Sequence, residues 1–396
     1  MRNLIAVVIM TCLLLSCSSG EITKKEEKVK KVPAQPKIEY KSIARFTSAS
    51  SKCRSDFYYY IPSDQNDQQK LITAICFDPQ GNGKLPVEKY KNMADDMSII
   101  LIGSNQLKNG LDYSVVQSTF NCLYNTILQS LPVDSSQILF VGFSGGGRIA
   151  LKAGSQIPNT KGVISCGAGQ APSSFNKGTS YVFAAGNEDF NYMECREVVS
   201  KFPEGYKLLF VPFNGKHEWP DTLAMSQAIQ YCLSPSPRKD YAYTKEETKI
   251  FAAEAKERKN MQENYVRKDI NWWNNYIDQL SAKASKNDSP EALSYKRSLS
   301  FLSMFSYMYT ESAINMQNIS NIEYSLAIYE KVDPDNPDMH FFNACYFAMM
   351  QNNEQAIKEV EEAIKQGFTS KEKLETSPFL QNLRTDNRFL DMLSKL

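Results

Sequence analysis

The chain has 396 residues, enough for two or three domains of ordinary size. Lys and Arg number 45, Asp and Glu number 44, and 42% of the residues are hydrophobic. This near-neutral globular composition excludes a long disordered chain, and the chain lacks the excess of basic residues that is typical of nucleic-acid-binding proteins. Histidine occurs only twice, as His217 and His340, so a mechanism that needs histidine has two candidates.

Residues 1–16 have the pattern of an export signal. The apolar run over residues 4–15 is shorter than a bilayer-spanning helix and is typical of a signal-peptide core. It ends in a Leu-Leu-Ser-Cys sequence that resembles the lipobox of bacterial lipoproteins, which implies acylation of Cys17 and a new N-terminus there. An ordinary secretory signal or a signal anchor is the alternative. The lipoprotein interpretation predicts a protein anchored in the cell envelope, at the outer membrane or the periplasmic face of a Gram-negative cell.

Residues 17–39 are predicted to be the lipidated cysteine and a flexible tether. Residues 21–38 are rich in charged side chains, contain proline and are poor in apolar side chains. The membrane is therefore expected to be a partner only through the N-terminal lipid.

Seven cysteines follow Cys17, an odd number, and most lie in apolar patterns. Export permits disulfides, but buried free thiols are the expected state. Since no Cys-x-x-Cys occurs, neither a zinc site nor a redox motif is supported. No metal or organic cofactor is expected.

Residues 40–237 alternate short apolar runs with amphipathic stretches. Continuous apolar runs are typical of parallel strands buried on both faces, and the alternation predicts an α/β fold with a mostly parallel sheet. The predicted strands are Phe57–Ile61, Leu71–Phe77, Ser98–Ile102, Gln137–Phe143, Gly162–Cys166, Tyr181–Ala185 and Lys207–Phe213. The predicted helices between them are Asp112–Ser130, Gly146–Ser155, Cys195–Phe202 and Asp221–Leu233.

Residues 238–396 are predicted to be an all-α domain. A Ser-Pro-Ser-Pro sequence over 234–237 interrupts the alternating pattern. Thr244 and Glu247 then form a capping box, and Ser289-Pro290 marks a second helix start. Two further helices are expected over Asp338–Gln351 and Asn353–Gln366, ended by Gly367.

A Gly-x-Ser-x-Gly sequence lies where a predicted strand runs into a predicted helix, with Ser144 at its centre. This is the context of a nucleophile elbow. The turn is so tight that a Cβ at Gly142 or Gly146 would collide with backbone, and the helix N-terminus favours developing negative charge. A Gly-rich connecting loop is the alternative, and a phosphate-binding P-loop is excluded because no Gly-Lys-Ser/Thr follows.

A hydrolase of this kind needs an acid and a histidine after the serine, in that order. Asp189 is the only aspartate between residues 145 and 216, and it directly follows a predicted strand. His217 directly follows the last predicted strand, so both would lie at the carboxyl edge of the sheet. Glu188 is the alternative acid. His340 lies in the helical region and is expected to be a packing residue.

The serine, acid and histidine segments together resemble the α/β-hydrolase superfamily. They are similar to its dienelactone hydrolase, polyhydroxybutyrate depolymerase and feruloyl or acetylxylan esterase branch, through GFSGGGR, GNED and GKHEWP. The resemblance covers about residues 55–235. It implies an oxyanion hole made by the N–H of Gly145 and that of Gln80 or Gly81, because the usual HGGG segment is absent.

The end of the chain, from Phe341 to Phe368, resembles tetratricopeptide-like helical hairpins, which implies that this domain binds a protein partner.

The expected activity is hydrolysis of short-acyl or carbohydrate-linked esters by Ser144, His217 and Asp189. Small molecules or polysaccharides would be the substrates. A peptidase on the same fold, or an idle hydrolase domain in a binding scaffold, are the alternatives. Only Gly167–Ser180 lies where lids are commonly inserted, so an open pocket is expected.

Overall fold

The computed structural model describes residues 38–48, 53–62, 70–171, 174 and 176–396. The proposed signal peptide, the lipidation site at Cys17 and nearly all of the tether lie outside these residues. Residues Ile38–Leu396 belong to one compact unit. No helix within the described ranges is long and apolar enough to cross a membrane.

The first part of the chain forms one eight-stranded sheet with the strand order β1-β2-β4-β3-β5-β6-β7-β8. The first two strands pair antiparallel, β2 pairs antiparallel with β4, and all remaining neighbours are parallel. The carboxyl ends of the parallel strands therefore meet at one edge. The strands are β1 Ile43–Thr47, β2 Asp56–Tyr60, β3 Leu71–Phe77, β4 Ile100–Ser104, β5 Val133–Phe143, β6 Gly162–Cys166, β7 Ser180–Gly186 and β8 Lys207–Phe213.

Five helices cover the two faces of the sheet. The side chains of α1 (Lys84–Met97) and α5 (Thr222–Leu233) share one core with alternate residues of the central strands. Those of α2 (Tyr113–Ser130), α3 (Gly145–Gln156) and the end of α4 (Tyr192–Ser200) share the other core. Because both faces are covered, the central strands are apolar throughout, as is typical of parallel sheets. The predicted α/β-hydrolase fold class is confirmed.

Two elements and one bond differ from the predictions. Strand β1 and helix α1 were not expected from the sequence. The prediction of free thiols is wrong for Cys53 and Cys122, which form a disulfide with a Cα–Cα distance of 5.5 Å. The other five cysteines within the described residues are buried and free, as expected. Burial raises the pKa of Cys76 to about 12, so this thiol is unreactive at neutral pH.

Every regular element described after β8 is a helix, which confirms the all-α character of the C-terminal region. The capping box of Thr244 and Glu247, the cap at Ser289 and the left-handed Gly367 (φ +104°) are present as predicted. Trp273 is fully buried, so it is a packing residue. After α5, the helices are α6 Lys245–Asn264, α7 Ile270–Ala284, α8 Pro290–Asn315, α9 Ile319–Val332, α10 Pro337–Met349, α11 Asn353–Lys365, α12 Lys371–Thr376 and α13 Asn387–Lys395, with a 3-10 helix at Pro378–Leu383.

The predicted domain boundary near residue 237 coincides with the change from sheet to helices. The assignment of residues 40–237 and 238–396 to two separate domains stays a prediction, and so does the likeness of the helices to tetratricopeptide hairpins.

Candidate active site

Ser144 lies at the sharp turn between β5 and α3. Its backbone has φ 52° and ψ −121°, a conformation that side-chain-bearing residues rarely adopt. A Cβ added to Gly142 would lie 2.0 Å from the Gly146 carbonyl oxygen, and one added to Gly146 would lie 1.9 Å from the Phe77 carbonyl oxygen. The glycines are therefore required by close backbone contacts, as the sequence predicts, and the strained turn holds the Ser144 hydroxyl at the carboxyl edge of the sheet.

His217 reaches Ser144 from the loop that follows β8. Its Nε2 atom lies 3.0 Å from Ser144 Oγ, and its Nδ1 atom lies 2.8 Å from Asp189 Oδ1. The structure thus joins the three predicted residues in one hydrogen-bonded chain, although their positions in the sequence span 73 residues. Hydroxyl, imidazole and carboxylate in this order form the arrangement that makes a serine nucleophilic.

Asp189 is fully buried in the loop that follows β7. Its Oδ1 atom accepts a hydrogen bond from the Asn191 backbone N–H at 2.7 Å as well as the contact with His217. The alternative acid, Glu188, turns away from the histidine and forms an ion pair with Lys296 at 2.9 Å. Asp189, and not Glu188, is therefore the carboxylate positioned to orient His217.

Three residues that the sequence analysis did not single out pack around the imidazole. The ring centroids of Phe190 and Phe143 lie 4.1 and 4.7 Å from that of His217. Gly167 follows β6 with φ +59°, and a Cβ there would lie 2.9 Å from Asp189 Oδ2 and 3.2 Å from His217 Cε1. These contacts fix the plane of the imidazole and leave no space for a side chain at residue 167.

The predicted oxyanion donors have different surroundings. The Gly145 N–H is at the first turn of α3, where backbone donors have no partner within the helix. The Gln80 N–H instead donates to Asp78 Oδ1 at 2.9 Å, and the Gly81 N–H donates to the Asp78 carbonyl at 3.0 Å. A Cβ on Gly145 would lie 1.7 Å from Asn109 Oδ1, so the Asn109 side chain packs directly against this residue.

Asp78 connects the predicted oxyanion loop to the histidine loop. Its buried carboxylate accepts a hydrogen bond from Trp219 Nε1 at 2.9 Å, two residues after His217. Burial raises the pKa of Asp78, although the bonds from Trp219 and from the Gln80 and Asn82 amides oppose the rise. Trp219 of the GKHEWP segment thus holds the two loops together.

The second histidine lies away from this site. His340 Nδ1 contacts Glu359 at 2.8 Å, between α10 and α11. Within the described residues, no three His, Cys, Asp or Glu side chains are close enough to hold a metal ion.

No protein-family model matches the chain, and no curated protein sequence is similar to it at a significant level. Solved structures with a related fold include an esterase from Pyrobaculum calidifontis, with 11% identity over 50% of this chain and 86% of that chain and a TM-score of 0.41. The structure of Est1E from Butyrivibrio proteoclasticus is 10% identical over 48% of this chain and 98% of that chain, with a TM-score of 0.38. A serine hydrolase without a lid from Xanthomonas campestris is 12% identical, covers 51% and 100%, and has a TM-score of 0.38. These likenesses are distant and concern about half of the chain.

Proposed function

We propose that the chain is a serine hydrolase that cleaves carboxylic esters with Ser144 as nucleophile, His217 as general base and Asp189 as the acid that orients it. The observation that carries this proposal is the hydrogen-bonded chain from Ser144 Oγ through His217 to the buried Asp189 carboxylate. An idle elbow would have no need for a strained serine backbone and a buried carboxylate directed at a histidine.

The chemistry follows from these contacts. His217 Nε2 takes the Ser144 proton as Oγ attacks the ester carbonyl, and Asp189 stabilises the imidazolium. His217 then gives the proton to the leaving alcohol, and the acyl group stays on Ser144. Water, deprotonated by the same histidine, attacks the acyl-enzyme and releases the carboxylic acid.

The oxyanion would be bound first by the Gly145 N–H at the start of α3. The second donor, at Gln80 or Gly81, has to exchange its bond to Asp78 for the oxyanion when substrate binds. Loss of one such donor costs about 3–4 kcal/mol of transition-state stabilisation in other hydrolases. The turn at Asp78 is therefore expected to rearrange on substrate binding.

The proposed substrates are short-acyl or carbohydrate-linked esters. The connection from Cys166 to Ser180 is too short for a cap domain above the serine. An acyl chain that stays in water loses the burial free energy of about 0.8 kcal/mol per methylene, so long chains gain little in an open site. Attachment to the cell envelope through a lipid on Cys17 remains part of the proposal.

The test is hydrolysis of ester and anilide substrates with matched acyl groups, including acetylated and feruloylated saccharides. We expect wild-type protein to cleave esters, and Ser144→Ala and His217→Ala each to lose turnover by at least about a thousandfold with unchanged folding. Asp189→Asn favours the wrong histidine tautomer and should have a comparable effect. Faster cleavage of the anilide would favour a peptidase, and activity retained in Ser144→Ala would refute the proposed nucleophile.

A further inference from the structure

Two arginines of the helical region, one buried and one largely buried, lie where this region meets the loops of the sheet. Arg258 belongs to α6 and Arg297 to α8, and their side chains are only 14% and 4% exposed. Both bond to the fully buried carboxylate of Glu254, at 2.5 Å from Arg258 and 2.7 Å from Arg297. The carboxylate between them neutralises one of the two positive charges and accepts hydrogen bonds from both guanidinium groups, which lowers the cost of burying them.

One further N–H group of each guanidinium donates to the loop that carries Asp189. We call residues 187–191 the acid loop. Arg297 Nη1 donates to the Asn187 carbonyl at 3.1 Å, and Arg258 Nη1 donates to the Phe190 carbonyl at 2.7 Å. The two accepting carbonyls lie on either side of Asp189 in the sequence, so the helical region holds the loop both before and after the acid.

Two further contacts join α8 to the acid loop and to Tyr192, which directly follows the loop. Lys296 Nζ lies 2.9 Å from the Glu188 carboxylate, and the Arg297 guanidinium lies 4.9 Å from the centre of the Tyr192 ring. The ring of Phe190, whose carbonyl is bound by Arg258, packs against the His217 ring at an interplanar angle of 37°. A displacement of this loop would therefore move the acid and the ring beside the base together.

We infer that Arg258 and Arg297 are positioning residues for the proposed hydrolase, and that they act by fixing the acid loop so that Asp189 meets His217. The inference rests on the proposed function. It makes the helical region part of the scaffold of the active site, in addition to any role in binding a partner. Catalytic groups must stay within well under 1 Å of the geometry that the reaction needs. Hydrogen bonds from two charged donors on packed helices restrict the acid loop in this way.

The test is a triple variant that removes the donors but keeps the volume, Glu254→Leu with Arg258→Met and Arg297→Met. Replacing a complete buried ion cluster by apolar side chains avoids an unpaired buried charge. The matched control is Arg196→Met with Glu247→Gln, which removes another ion pair of the junction, 2.8 Å long, between α4 and α6. Arg196 and Glu247 make no bond to the acid loop, and Gln at 247 keeps the capping box.

We expect the triple variant to lose about 10- to 100-fold in kcat on a short-chain ester with KM changed less than twofold, and the control to keep wild-type kcat. Hydrogen exchange of the acid-loop amides should be faster in the triple variant than in the wild type or the control. Wild-type kcat together with wild-type exchange in a folded triple variant would overturn the inference.

Two results would require an additional measurement: a triple variant that does not fold, and a wild-type protein that hydrolyses no ester. If the triple variant does not fold, Arg297→Lys keeps the charge near Glu254 but replaces the planar guanidinium that bonds the carboxylate and the Asn187 carbonyl at once. A loss of about fivefold in kcat is then expected, and an unchanged kcat would overturn the inference. If wild-type protein hydrolyses no ester, the proposed function fails, and the exchange of the acid-loop amides still tests whether the arginines hold the loop.

Discussion

Gly167 is the position where one added methyl group should disturb the candidate active site most selectively. In Gly167→Ala the new Cβ would lie 2.9 Å from Asp189 Oδ2, 3.0 Å from Phe143 Cε2 and 3.2 Å from His217 Cε1. Asp189 and His217 belong to the hydrogen-bonded chain of the candidate site, and Phe143 packs against the His217 ring. The methyl group can therefore be accommodated only if the acid, the base or the ring beside them moves.

The expected magnitude has two parts. A residue with a side chain in the left-handed region costs about 1–2 kcal/mol relative to glycine, and overpacking a close-packed site adds about 1–3 kcal/mol. The free energy of unfolding should thus fall by about 2–5 kcal/mol. A displacement of a few tenths of an ångström at Asp189 should lower kcat by at least about tenfold.

Gly205 provides a matched control for the first part. It has φ +80°, no atom lies within 4 Å of an added Cβ, and it precedes β8 at the edge of the sheet opposite the site. Gly205→Ala should therefore lose only about 1–2 kcal/mol and keep wild-type kcat. Urea denaturation and ester hydrolysis of both variants measure the difference. If Gly167→Ala matched Gly205→Ala in stability and kcat, the proposed contact between residue 167 and the triad would be wrong.

Four other outcomes follow from the contacts described. His340→Ala should keep wild-type kcat, because His340 pairs with Glu359 far from Ser144 in the sequence and the fold; loss of turnover in this variant alone would reassign the base. A chain ending at residue 237 should lose most of its kcat even where it stays soluble, since it lacks both arginines that hold the acid loop; wild-type kcat in this fragment would show that the helices are dispensable. Replacing Cys53 and Cys122 by Ser should lower the free energy of unfolding by about 4 kcal/mol in denaturant titrations, as expected for a crosslink over 69 residues, and no change would indicate that the bond does not form. Acetyl and butyryl esters should have higher kcat/KM than palmitoyl esters, and the opposite order would point to a lid.

The strands that sequence patterns predict best are those buried on both faces. Continuous apolar runs predict Leu71–Phe77 and Gly162–Cys166 at the bounds that the structure shows. The edge strand Lys207–Phe213 also has its predicted bounds, because its central residues are apolar although Lys207 and Pro212 are exposed. Strand β1 was missed because it lies at the edge of the sheet, where half-exposed positions and Arg45 leave no continuous apolar run. Helix α1 was missed because polar side chains surround its few buried residues and because proline lies in its first turn.

The three residues of the proposed triad could be predicted because each follows a strand in a parallel sheet, and such loops meet at one edge. The residues that hold them could not. Gly167 and Phe190 have no motif of their own, and Arg258 and Arg297 come from helices about 70 and 110 residues beyond the loop they bind. The Cys53–Cys122 pair also depends on how α2 packs beside β2, which residue spacing alone does not reveal.

The most direct test of the central claim is covalent labelling of the intact protein with a fluorophosphonate, followed by peptide mapping of the adduct. A serine activated by a histidine reacts with this probe, whereas an ordinary surface serine does not. We predict one adduct per chain, on Ser144, with labelling lost in His217→Ala and retained in His340→Ala. Absence of an adduct on the folded wild-type protein, or an adduct on a different serine, would contradict the proposed mechanism.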